Sequence, residues 1–311
     1  MGAEMKLNER TIEAFLEEDR ILDRVKLEDY LPVALGSRPT GSLMIPVEFP
    51  SGEDIRQGID ENYADKFYSG GGRRGLLGFI DKTRLNLQRL VSTPLAFRTG
   101  LVRSAFTELV YDHPEYRAHR EWAERLGLDT YQKELRPSLD DLFIAASEEA
   151  MERISRVMGM RDRIREEAQK RQDMSPVFLP EEMSSIFLDA VGGMLGYPRC
   201  CVEAYIEDAN RGVDSGVRAS EQLENSPGDA EGAAYFASYF YPCTPGCPEA
   251  VSLGRDIRGR LGDLRLGLDE MSAHYQGENM QFVRDYRDMV RQKQREMMAK
   301  MEEVRSDGIP E

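Results

Sequence analysis

The chain has 311 residues, a formal charge of −15 and a hydrophobic fraction of 41%. It is long enough to bury a core without disulfide or metal staples, and its length suggests about two domains. The acidity argues against a duplex nucleic-acid binder, which must neutralise phosphates, and against attachment to an anionic membrane surface. The partners left open are small molecules and other proteins.

In chain order, Ile12, Phe15, Leu16, Leu22 and Val25 predict an early helix over Thr11–Val25. Ser42–Phe49 reads as a short strand, which Pro46 confines to a sheet edge. Ser69–Gly75, with four glycines and two arginines, is expected to be a mobile turn, with an anion cradle as the sharper alternative. It matches neither the dinucleotide fingerprint nor the nucleoside-triphosphate loop. The apolar patch Leu76–Ile80 after it is far shorter than the ~20 residues of a membrane helix. With no apolar leader near Met1, the chain is expected to be soluble and cytoplasmic.

Pro114 suits the first position of a helix over Glu115–Leu126, with His119 and Trp122 packing on one side and His113 in the preceding turn. Pro137-Ser138 reads as a turn and cap. It opens a long helix through Leu139, Leu142, Phe143, Ala146, Ala150, Ile154, Val157 and Met158, then a solvated extension ending before Pro176. A domain boundary is expected near Asp173–Pro180, giving a mostly helical region over 1–175 and a helical, cysteine-bearing region over 176–311. The fold class is therefore mainly α, or α+β with few short strands.

All four cysteines lie between positions 200 and 247. A helix through Ile186, Leu188, Val191 and Leu195 is ended by Gly196; Pro198 then opens another, with Cys200 and Cys201 in its first turn. Gly212–Gly232, rich in Ser, Gly, Glu and Asn, is expected to be a surface loop. Pro245-Gly246 is a type II turn signature that folds Cys243 back towards Cys247. Pro248 starts a further helix with Ala250, Leu253, Ile257 and Leu261 on one face. Both pairs thus sit at helix N-termini, where the partial positive charge favours thiolate, the metal-binding form. Over Met280–Val304 a stripe of Val283, Tyr286, Val290, Met297, Met301 and Val304, broken by Gln294, reads as a core-packed helix. A partner-binding or coiled-coil arm is the alternative.

A disulfide between Cys200 and Cys201 is disfavoured, because adjacent Cα atoms lie about 3.8 Å apart against the usual ~4.4–6.8 Å. In a reducing compartment such clustered thiols point to a metal or to catalysis. Four thiolates suit a closed zinc site or a [4Fe-4S] cluster. Adjacent helical ligands diverge by about 100°, which suits a cluster. The closed count of four and the prior abundance of zinc favour the single ion. Glu203, two residues after Cys201, and His274 are the acid/base candidates near this region.

Gly196-Tyr197-Pro198-Arg199-Cys200-Cys201, followed by Pro242-Cys243 and Cys247, resembles the uncharacterised, largely archaeal domain-of-unknown-function 483 family. Its hallmark is GYPxCC and then PCxxxC, with a helix after each. The resemblance covers roughly 180–265 and implies that Cys200, Cys201, Cys243 and Cys247 act together, without supplying an activity. The chain is more distantly similar to the CCG-type iron–sulfur modules of heterodisulfide reductases. It lacks their upstream cysteine, has Val202 in place of a glycine, and spaces its last pair by three. Three functions follow as expectations: a metal-thiolate protein, a thiol redox or sulfur-transfer enzyme using the vicinal pair, or a non-catalytic adaptor docking through its last helix.

Overall fold

In the computed structural model, residues 8–69, 94–170 and 179–306 are described. The chain divides into two units, Met1–Met158 and Gly159–Glu311. The glycine-rich run from residue 70, the apolar patch after it, and most of the expected boundary segment fall outside the described residues.

The first unit begins with α1 (Glu9–Leu16), capped by the Asn8 side chain accepting from Arg10 N–H. The expected single helix to Val25 is interrupted. The Glu18 carboxylate accepts from Trp122 Nε1 at 2.9 Å and from the Arg20 guanidinium at 2.7 Å. Helix then resumes over Asp23–Val25, passes through a π-turn at Lys26–Tyr30 and ends at Leu31–Ala34. Buried Lys26 donates to the Leu16 carbonyl at 2.8 Å, satisfying a C-terminal group that a continuous helix would have bonded internally.

β1 (Thr40–Ile45) is an edge strand, but it stops before Pro46 rather than running on to Phe49 as expected. After it come α2 (Gly52–Ala64), α3 (Pro94–Val110) and α4 (Pro114–Arg125). The His113 ring caps α4 by accepting from Glu115 N–H at 3.3 Å. The long helix expected from Leu139 is corrected at its start. β2 (Asp129–Arg136) and β3 (Leu139–Ala145) form an antiparallel hairpin around Pro137-Ser138, and the sheet order is β1-β3-β2. β3 is the central strand, and Leu142, Phe143, Ile144 and Ala145 are all buried. A strand covered on both faces loses its alternation, and its short apolar run then mimics helical spacing. The helix, α5 (Glu148–Lys170), starts only after Ser147, whose Oγ accepts from Ala150 N–H at 3.2 Å.

The second unit contains α6 (Ser185–Leu195), α7 (Arg199–Arg211), α8 (Ser215–Asn225), α9 (Pro248–Gly262) and α10 (Leu268–Ser306). α8 replaces the loop expected over Gly212–Gly232. Asp214 caps it, accepting from Gly216 and Val217 N–H at 2.8 and 3.1 Å. Its small residues are a packing face: a Cβ at Gly216 would lie 2.5 Å from the Tyr286 ring of α10. Ser220 Oγ also donates to the Arg284 carbonyl at 2.8 Å. Composition alone confuses such a face with a polar loop.

α10 begins well before Met280. Its nearer half packs on α8 and α9, burying Leu268 and Val283. Packing continues to Tyr286 and then gives out: residues 291–299 are exposed, Met297 by 57%. No helix among the described residues is long and apolar enough to cross a membrane.

Candidate metal centre

Two limbs of the second unit bring the four cysteines together. On the first, α6 stops at Gly196, whose φ of +74° is the left-handed geometry that favours glycine. Tyr197 N–H returns to the Gly192 carbonyl at 2.9 Å. Pro198 then precedes α7, so Cys200 and Cys201 occupy its first turn as expected.

The second limb is the turn before α9. Cys247 N–H donates to the Thr244 carbonyl at 3.1 Å, closing the turn around Pro245-Gly246. The turn is not type II, since Gly246 has no left-handed φ. Glycine is needed there for space: a Cβ would lie 2.3 Å from the Asp229 carbonyl oxygen. Pro248 is the first residue of α9 and Cys247 its cap position.

Cys200 Sγ lies 3.5 Å from Cys247 Sγ and 3.9 Å from Cys201 Sγ, and Cys201 Sγ lies 3.6 Å from Cys247 Sγ. All four sulfurs fall within 4.8 Å of one another, and the thiols are free. Cys201 and Cys247 are buried; Cys200 and Cys243 are half-buried. The Cys243 backbone N–H donates to Cys201 Sγ at 3.4 Å.

The expectation that helix N-termini favour thiolate holds at Cys247 and fails at Cys200 and Cys201. Burial first, then contact with Cys247 and Cys243, pushes the Cys200 thiol up to about 12. Burial also pushes Cys201 up, outweighing the N–H from Cys243. At Cys247 burial opposes ionisation, yet the Ala250 N–H and the neighbouring thiols hold it below the ordinary thiol value. Sulfurs this close resist simultaneous ionisation unless a cation shares them. Four soft sulfur donors suit zinc or iron.

An outer layer fixes the second limb. Arg218 of α8 donates to the carbonyls of Pro242 at 3.0 Å and Cys243 at 3.3 Å, and Gln222 donates to Cys243 at 3.1 Å. Asp208 of α7 holds Arg218 Nε at 2.6 Å and accepts from Ser215 Oγ at 2.8 Å. Glu249 Oε2 accepts from the Cys200 thiol at 3.5 Å. Sequence reasoning missed these residues. Arg218 and Gln222 were hidden in a stretch read as loop, while Glu249 stands in the second cysteine motif and its position after Pro248 was the available signal.

The acid/base candidates are not among the four residues whose ligand atoms converge. Glu203 forms an exposed ion pair with Arg199 at 2.8 Å, and His274 Nε2 lies 3.2 Å from a Glu278 carboxylate oxygen on the exposed face of α10.

A family model described as a protein of unknown function (DUF483) matches residues 128–261. The match includes all four cysteines and agrees with the resemblance carried by their motifs. No curated protein and no solved structure matches the chain.

Proposed function

We propose that Cys200, Cys201, Cys243 and Cys247 hold one zinc ion that ties the start of α7 to the turn before α9. The observation that carries this reading is the sulfur spacing. Zinc–sulfur bonds of about 2.3 Å in a tetrahedron put neighbouring sulfurs roughly 3.8 Å apart. The separations of 3.5, 3.6 and 3.9 Å bracket that value. In an iron–sulfur cubane each cysteine binds a different iron, which spreads the sulfurs over a wider frame. The 100° divergence of adjacent helical residues does not prevent the Cys200 and Cys201 sulfurs from converging, so it no longer favours a cluster.

Four thiolates, with no further convergent ligand among the described residues, describe a closed, structural site. Such an ion contributes directly to folding, because its ligands are gathered only in the folded chain. Free thiols held this close fit a reducing compartment, which supports a cytoplasmic location. The residues supply the remainder of the chemistry: Cys201 and Cys247 exclude water by burial, and Arg218 and Gln222 hold the Cys243 limb.

A second reading has one observation in its favour. Cys200 is half-buried and 3.5 Å from Cys247, whose thiol is held below its ordinary value, so without an ion these two would act as a redox pair.

Elemental analysis of anaerobically prepared protein tests the proposal. About one zinc per chain is expected, falling below about a tenth in Cys201→Ser, with the C-terminal unit destabilised. Folded, metal-free wild-type protein with four titratable thiols would overturn it in favour of the redox pair. Several irons per chain would overturn it in favour of a cluster.

A further inference from the structure

A cavity of about 220 Å³ opens beside the cysteines, between α6, the start of α7 and the segment Tyr239-Phe240-Tyr241. Its aliphatic lining includes Leu188 and Val191, its aromatic lining Tyr205 and that segment, and its one sulfur is Cys201. Among the described residues, no Asp, Glu, Lys or Arg lines it.

The cavity is built into the fold. Gly192 lets α6 and α7 approach closely, since a Cβ there would sit 2.3 Å from a Val202 methyl carbon. Tyr239 has a φ of +59°, a left-handed backbone that side chains other than glycine, Asn and Asp rarely adopt. The residue is 46% exposed, and its ring packs edge-on to Phe282 with centroids 5.9 Å apart. Behind Phe240, the rings of Tyr197 and Phe236 lie 4.9 and 4.5 Å away. The aromatic segment is therefore propped in place by neighbouring rings, and Tyr197, Tyr239, Phe240 and Tyr241 all face the cavity.

We propose that this cavity binds a small, uncharged aromatic molecule of one or two rings. Its volume is below the ~300–1,000 Å³ of drug-sized sites. Rings favour partner rings at centroid distances of 4.5–7 Å. The tyrosine hydroxyls and the Cys201 sulfur are the polar atoms its lining side chains bring, whereas a charged group would be buried without an ionic partner. An anion would in addition meet a chain of net charge −15.

The binding step stands on the cavity alone, but its consequence rests on the zinc reading. Cys201 lines the cavity and belongs to the four-sulfur group, and Tyr241 lies two residues before Cys243. Ligand and ion therefore share a wall, and each changes the affinity of the other by the same factor.

The test is methyl NMR of the full chain, with metal content measured on the same sample. Para-cresol and indole serve as neutral probes, benzoate and tetramethylammonium as charged ones. The neutral probes are expected to shift the methyls of Leu188, Val191 and Val202 saturably, with dissociation constants of about 1 mM or tighter. Leu188→Trp, or Val191→Phe if that variant fails to fold, fills the cavity and should weaken binding at least tenfold with metal content unchanged. Absence of saturable shifts, equal binding of the charged probes, or binding that survives filling overturns the proposal. Cresol binding to metal-free protein would leave the cavity proposal standing and remove the zinc reading. Metal without cresol binding would do the reverse.

Discussion

Gln222 and Arg218 govern where the Cys243 sulfur can sit, because both donate to the carbonyl of that residue. Groups one layer outside a metal site orient its ligands, and their loss typically lowers affinity 10–100-fold. Gln222→Ala removes one of two donors to the Cys243 carbonyl and strands no charge. Zinc affinity, measured by competition with a chromogenic chelator, is expected to fall about tenfold. Unchanged affinity would show that Arg218 alone holds the limb. Arg218 is the harsher site, since its loss leaves Asp208 buried beside Ser215 without its cation. At this scale the ligands were legible and their supports were not. Vicinal cysteines after Gly-Tyr-Pro, and two cysteines flanking a Pro-Gly turn, announce themselves by residue type and local turn chemistry. Arg218 and Gln222 reach the site only through tertiary packing, so no local pattern marks them.

At the scale of elements, glycines separate packing from propensity. α9 carries Gly254, where a Cβ would lie 1.9 Å from the Ala233 carbonyl oxygen, and Gly259, where nothing lies within 4 Å. Gly254→Ala is therefore expected to cost at least about 1–3 kcal/mol through overpacking. Gly259→Ala, in open space on the same helix, should add roughly 0.5–1 kcal/mol of stability. Chemical denaturation checks both, and equal effects would contradict the close approach. α10 offers a second comparison. At 39 residues it extends about 58 Å, and residues 291–299 are exposed. Ending the chain after Gln292 should change stability by less than about 0.5 kcal/mol. Ending it at Gly277 removes buried Val283 and the Tyr286 ring over Gly216, and should unfold the unit. Helices with a broad apolar stripe or clear caps, such as α4, α6 and α9, were readable in the sequence. α8 was not, because small residues pack there by closeness rather than by apolar bulk. β3 was not, because burial on both faces erased its alternation.

At the scale of the molecule, buried ionisable groups of the N-terminal unit set a pH optimum. Burial holds the His119 imidazole down at about 3, against an ordinary 6.5. Below pH 6.5 the unfolded chain takes up a proton that the folded chain refuses, so stability falls as pH drops towards 3. Glu18 adds to the same limb: its bond with Arg20, outweighing burial, holds it at about 2, and its contribution is lost as pH falls through that value. Burial, then the nearby Asp29 charge, raises Glu48 to about 8 from an ordinary 4.5, so the folded state keeps a proton that the unfolded state releases. Its effect reduces stability as pH rises from 4.5 to 8, and Asp29 is shifted in the same direction by its burial. The His119 and Glu48 slopes overlap and cancel between 4.5 and 6.5 and the raised Asp29 tilts that range, so the unit should be most stable towards its acid end. Each single proton contributes about 1.4 kcal/mol per pH unit outside the overlap. Denaturation midpoints across pH 4–8 are expected to have a shallower alkaline decline in Glu48→Gln, with the Asp29 share remaining, and a shallower acid decline in His119→Asn. Parallel profiles for wild type and both variants would contradict the assignment. None of this was readable from composition, since it depends on which charges the fold buries.

The central claim is that four sulfurs share one ion. X-ray absorption at the metal edge of the anaerobically prepared chain tests it most directly. The expected result is zinc with four sulfur neighbours at about 2.3 Å and no metal–metal scattering. Iron with an iron–iron distance, or a zinc shell containing nitrogen or oxygen, would contradict it.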